Sequence, residues 1–167
     1  NGDDQRPREL VTEAVNLANP TINFADYDND NDNYVDGVYV IYAGYGEEAG
    51  GGSNCIWAHA WSIPTVSLDG KYLSKYSCSP ELAGNSGSNI TNIGVICHEF
   101  SHVCGLLDFY DTDYDGSGGQ SFDLENWDPM ASGSWNDSGR RPPYHNAWSK
   151  IYLGWQTENT LSTPQSI

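Results

Sequence analysis

Apolar residues first fall into a clear period between Pro7 and Ala18, where Leu10, Val11, Ala14, Val15 and Ala18 share one face at helical spacing. Pro7 suits the first turn of such a helix, and Pro20 lies beyond its end. Val38-Tyr39-Val40-Ile41-Tyr42 is apolar on both faces, the pattern of a buried strand, and Ala43-Gly44 ends it. Gly50 to Ser53 reads as a flexible loop. Ile56 to Trp61 is a second strand candidate. Val66 to Leu68, Asp69-Gly70 and Lys71 to Cys78 have the pattern of a hairpin closed by a type I′ turn. Ser79 to Ser88 reads as loop. A helix carrying Ile93, Val95 and Ile96 is expected to start at a cap, Asn89 or Thr91, and to run to Gly105, a left-handed stop. From there to Pro143 little is periodic, until Ala147, Trp148, Ile151 and Tyr152 mark a short helix ending at Gly154.

Strands and helices in this irregular order predict an α+β fold with a twisted mixed sheet. The 167 residues suit one domain at ~100–200 residues per domain. No repeat or linker divides them. The 18 Gly and 8 Pro are too many for a helical bundle, and 6 Trp with 11 Tyr too aromatic for a disordered chain. No apolar run approaches the ~18 residues of a membrane span. Seven Lys and Arg against 23 Asp and Glu give a formal charge of −16, which repels a phosphate backbone and argues against nucleic acid as a partner. The chain opens at Asn1 without Met and reads as a processed product.

Cysteines stand at 55, 78, 97 and 104, with no C-x-x-C spacing to suggest a zinc knuckle or redox pair. Cys97 and Cys104 lie seven apart on the expected helix, ~10 Å between Cα atoms, too far to bridge. Cys55 and Cys78 flank strand-like runs, and a disulfide between them is expected if the compartment is oxidising. The alternative is four free thiols in the core.

His98-Glu99-Phe100-Ser101-His102 is H-E-x-x-H within the expected helix, so two imidazoles one turn apart face one ion, and such nitrogens suit zinc. Glu99 points about a quarter turn away from His98, poorly placed as a ligand but well placed as general base to an activated water. Gly105 and Asp108 extend the run to H-E-x-x-H-x-x-G-x-x-D: glycine lets the chain turn sharply out of the helix, and Asp108 becomes a third ligand. Met130, the sole methionine, sits in Trp127-Asp128-Pro129-Met130-Ala131-Ser132-Gly133, a tight-turn composition matching a Met-turn beneath a zinc site.

At these residues the sequence resembles the metzincin clan of zinc peptidases and, within it, the immune inhibitor A family of secreted bacterial metallopeptidases. The resemblance extends over Phe24 to Asp28, Val38 to Gly46, Ile56-Trp57, Gly94 to Tyr110, Trp127 to Trp135 and Leu153-Gly154-Trp155. It implies a secreted or cell-surface zinc endopeptidase acting on proteins or peptides, with His98, His102 and Asp108 as ligands and Glu99 as base. It also implies a metzincin-like zincin architecture, with an upper subdomain over residues 1–107, an irregular lower one over 108–167 and substrate between them. Leu107 stands where the family often has Pro. By the same comparison the chain begins inside the usual catalytic domain, without its N-terminal strand or the inhibitory propeptide of a precursor.

Two acidic loops are expected to bind structural calcium. Asp28, Asp30, Asp32, the Tyr34 carbonyl and Asp36 follow the ligand rhythm of an EF-hand loop, Asn33 taking the position of its turn glycine. The acidic residue that closes such a loop is absent. Asp111, Asp113 and Asp115 before Gly116 repeat the opening of the pattern. Solvated acid is the alternative for both. His59, between Trp57 and Trp61, reads as a packed imidazole, and His145 as a poor substitute for Asp108 because it lies far from the glycine turn. Tyr110 or Tyr144 can lend a phenol to an oxyanion. Competing with the peptidase are a calcium-stabilised binding or adhesion module with a vestigial zinc site, against which Glu99 argues, and a hydrolase of some other amide.

Overall fold

The computed structural model describes residue 4 and residues 6–159; both ends of the expected 1–167 domain lie outside them. Helix α1 (Pro7–Ala18) has proline in its first turn and buries Val11 and Val15, the expected apolar face. Three strands follow: β1 (Val38–Tyr45), β2 (His59–Leu68) and β3 (Lys71–Leu82). Their order is β1-β3-β2, with β3 parallel to β1 and antiparallel to β2. The central strand therefore carries the most buried positions, and Leu73, Tyr76 and Cys78 join Val11, Val15, Phe24, Tyr42, Ile63 and Leu68 in one core. The result is a small mixed α+β domain with a three-stranded mixed sheet and few helices.

The hairpin turn is as expected: Asp69 and Gly70 both have positive φ, 51° and 80°, the type I′ requirement. The Asp69 carboxylate also accepts the Phe24 N–H at 2.9 Å. Of the expected run Ile56–Trp61 only His59 to Trp61 is strand, and it belongs to the same strand as Val66–Leu68, while Ile56 to Ala58 precede it. Ser62 to Thr65 contain Pro64 and a register shift, and β2 accepts both because it is an edge strand with one open side. Strand β3 continues past Cys78 through Ser79 and Pro80, residues that read as loop, because β1 pairs with them.

Helix α2 (Ile93–Val103) begins later than expected, at Asn92. Asn89 and Thr91 instead flank Ile90 in a short antiparallel bridge to the end of β3, with bonds from Ala83 N–H to Asn89 O and from Thr91 N–H to Glu81 O at 2.8 Å each. Its far end is as expected. Gly105 has φ 104°, its N–H bonds to His102 O, and Leu106 N–H reaches back to Ser101 O, a Schellman stop. Helix α3 (Ala147–Tyr152) is capped by Asn146, whose side chain accepts the Ser149 N–H at 2.9 Å.

The expected Cys55–Cys78 disulfide is not formed, and all four cysteines are free. Cys78 lies in the middle of β3, where His59 and Val40 take the opposing positions on the two neighbouring strands. Cys55 precedes β2 and turns its thiol to the Gly51 carbonyl, 3.2 Å away. Burial pushes the Cys78 thiol up to about 12, so it is inert toward exchange at neutral pH.

Candidate metal centre

The helical spacing of His98 and His102 brings their Nε2 atoms within 3.2 Å of each other. Beyond the glycine stop the chain reverses, and Asp108 Oδ1 arrives 3.2 Å from each Nε2. Three donor atoms thus form an equilateral triangle. Ligands on a tetrahedral zinc at ~2.0–2.1 Å stand ~3.3 Å apart. The tautomers fit the same occupant. His98 Nδ1 bonds to the Pro129 carbonyl at 2.8 Å and His102 Nδ1 to the Leu106 carbonyl at 2.9 Å. Both protons therefore sit on Nδ1 and both Nε2 lone pairs are bare. Asp108 Oδ1, buried, receives no hydrogen bond. Two lone pairs and a carboxylate oxygen turned on one point repel one another, and a cation removes that repulsion.

Burial lowers the His98 and His102 imidazoles, but Asp108 outweighs it and both are raised above their ordinary value. Asp108 shows the converse: burial raises its carboxyl, and the two imidazoles bring it well below the usual carboxylate range. Glu99, 7% exposed, is pushed up to about 7, chiefly by burial and against the pull of the two histidines. Its carboxylate shares the cluster with His98 and His102, their donor atoms lying within 4.8 Å of one another. A carboxyl near neutrality beside a cation site suits proton transfer in both directions.

Met130 lies wholly buried. Its carbonyl accepts the Phe109 N–H at 2.8 Å, which fixes the chain just beyond Asp108. Tyr110 stacks on His98, ring centroids 6.3 Å apart and planes 25° apart, and burial with the nearby Asp108 raises its phenol to about 12. Tyr144 is 92% exposed. His145 faces Ser101 Oγ at 3.1 Å instead of joining the triangle. His59 is held by the Trp57 carbonyl and the Tyr76 hydroxyl, both at 2.7 Å, the packed imidazole expected. An open cavity of about 1440 Å³ extends from His98, Glu99, His102 and Asp108 to Trp57, Trp61 and α1.

The first acidic loop brings together carboxylate oxygens of Asp28, Asp30 and Asp36. Asn33 takes φ 72°, the conformation of the glycine it replaces. Asp32 does not join that group; its Oδ1 accepts the Tyr34 N–H at 2.7 Å. Lys71, which sequence reasoning missed, reaches in from β3, its Nζ 2.6 Å from Asp28 Oδ2. In the second loop Asp111 accepts the Ser121 N–H at 2.7 Å and Asp113 the Ser117 N–H at 3.0 Å. Asp111, Asp113 and Asp115 form no such group among the described residues. The carbonyls of Pro129 and Leu106, which orient the histidines, were also missed, because backbone acceptors carry no sequence signal.

The chain matches the family described as immune inhibitor A peptidase M6, catalytic domain, over residues 1–158. Among characterised proteins it is similar to the pre-pro-metalloprotease PrtV of Vibrio cholerae serotype O1, 32% identical over 181 residues covering 90% of this chain. It is also similar to immune inhibitor A of Bacillus thuringiensis subsp. alesti, 31% identical over 159 residues covering 77% of this chain. The chain spans 19% and 22% of the length of these relatives.

Proposed function

The chain belongs to the immune inhibitor A peptidase M6 family, and on that premise we propose that it is the catalytic unit of a zinc-dependent endopeptidase. The observation that carries the reading is the triangle of bare His98 Nε2, His102 Nε2 and Asp108 Oδ1 at 3.2 Å edges. These residues hold the zinc, which when bound supplies Lewis-acid activation of water and of the scissile carbonyl. Glu99 takes the proton of the attacking water and delivers it to the leaving amine, a role its near-neutral carboxyl fits. The carbonyls of Pro129 and Leu106 hold both imidazoles in the tautomer that leaves Nε2 free.

A metzincin-like arrangement accompanies the reading: Met130 lies under the centre, and substrate lies between an upper part ending at residue 107 and a lower part beginning at 108. Protein or peptide substrates, secretion and an inhibitory propeptide fit the printed name of the Vibrio relative, a pre-pro-metalloprotease. Structural calcium belongs in the first loop, where Asp28, Asp30 and Asp36 converge. The second loop takes calcium only if Asp111, Asp113 and Asp115 rearrange around it.

Hydrolysis of an unfolded protein by wild type and by Glu99→Ala tests the assignment. The variant should keep its zinc and its fold while losing activity by several orders of magnitude, since proton transfer alone contributes ~10²–10⁴-fold. Activity within about tenfold of wild type would mean another group is the base.

A further inference from the structure

We infer that Asp128 is a positioning residue of the metal centre: its buried carboxylate fixes the Asp128–Met130 turn where the Pro129 carbonyl meets the His98 Nδ1–H. The inference rests on the zinc reading above. Asp128 is 0% exposed. Its Oδ1 accepts the Met130 N–H at 2.8 Å, and its Oδ2 accepts both the backbone N–H and the Nδ2–H of Asn146, each at 2.8 Å. Asn146 is also the cap of α3. One carboxylate therefore ties the turn to the helix that follows it.

The turn makes two bonds toward the centre. The Pro129 carbonyl accepts from His98 Nδ1 at 2.8 Å, and the Met130 carbonyl accepts from the N–H of Phe109, the neighbour of Asp108, at 2.8 Å. A shift of the turn displaces two of the three donor atoms together. The partner of a ligating imidazole sets its orientation and basicity, and losing such a partner typically costs ~10–100-fold in metal affinity. The chemistry of position 128 follows from its neighbours. Every hydrogen-bonded group around its two oxygens is a donor, so both atoms must accept, which a carboxylate does and an amide of the same shape does not. Whichever way an asparagine is placed there, its NH₂ meets an N–H.

The test compares zinc affinity, by chelator competition, with kcat and KM for the wild-type holoprotein, Asp128→Asn, Asn146→Ser and His102→Ala. Asp128→Asn should weaken zinc ~10–100-fold and lower kcat with little change in KM. In metal-free protein it should also lose the protected His98 Nδ1 proton seen by NMR in wild type. Asn146→Ser keeps an oxygen to cap α3 but shortens the donor to Asp128, and should shift zinc affinity the same way by a smaller factor. If Asp128→Asn fails to fold, Asn146→Ser decides. Wild-type zinc affinity in the folded variants, with His102→Ala losing zinc, overturns the positioning role alone. Zinc bound equally by wild type and His102→Ala overturns the zinc reading, and the role of Asp128 falls with it.

Discussion

The imidazole of His98 donates from Nδ1 to the carbonyl of Pro129 across 31 residues of chain, at 2.8 Å. One bond thus joins α2 to the turn that holds Met130, and it decides which nitrogen of His98 is free.

The purified protein should hold about one zinc, as a site with three protein ligands implies. His102→Ala, which removes one corner of the triangle, should abolish retention after dialysis. Full occupancy in that variant, measured by metal analysis, would refute the ligand assignment.

Asp108→Ala should weaken zinc by orders of magnitude, and His145→Ala by at least tenfold less. The reason is positional: Asp108 Oδ1 stands 3.2 Å from both Nε2 atoms, whereas His145 bonds to Ser101. Equal losses in a zinc competition assay would show that His145 reaches the metal in solution.

Gly105→Ala should destabilise the fold by about 1–3 kcal/mol, the cost of holding a side-chain-bearing residue in a sparsely populated region. The cost is in the backbone, since φ is 104° and an added Cβ would meet only the Tyr152 ring at 3.7 Å. Relief of that strain by unwinding the helix end would also move Asp108 and weaken zinc. A melting temperature and zinc affinity both unchanged by the substitution would contradict this account.

Calcium should raise the melting temperature, by roughly 2.7 kcal/mol of stability per site at ~100 Kd of free ion. Asp30→Asn combined with Asp36→Asn should remove most of that response in a calorimetric titration. Persistence of the response would place the ion elsewhere.

The Lys71 ammonium lies against Asp28, and its hydrogen bond holds that carboxyl below its ordinary value. A carboxyl depressed in the folded state contributes stability above its unfolded value of ~3.9, and loses it as pH falls through the folded value. Melting temperature in calcium-free buffer should therefore fall on acidification below about pH 4. Lys71→Met should flatten that dependence and enlarge the calcium response, by freeing Asp28 Oδ2. An unchanged acid slope in the variant would show that the pair contributes nothing.

Features set by local periodicity and local backbone chemistry are legible in the residues alone. Helical spacing put His98 and His102 on one face, Asp69-Gly70 specified its turn, and Gly105 specified the helix stop, because each depends on neighbours within a few residues. Tertiary structure decided what depends on partners distant in the chain. Pro64 lies between the two expected strand runs and Pro80 in an expected loop, yet both stand within strands, because sheet position, which no local pattern records, decides whether a missing N–H matters. The Cys55–Cys78 pairing failed for the same reason, since register placed His59 and Val40 beside Cys78. Lys71 at Asp28, Asn146 at Asp128 and the Pro129 carbonyl at His98 are contacts of the folded chain alone. The sequence names the donors, and folding brings each to its acceptor, because hydrogen bonds and ion pairs depend on distances that only the closed chain sets.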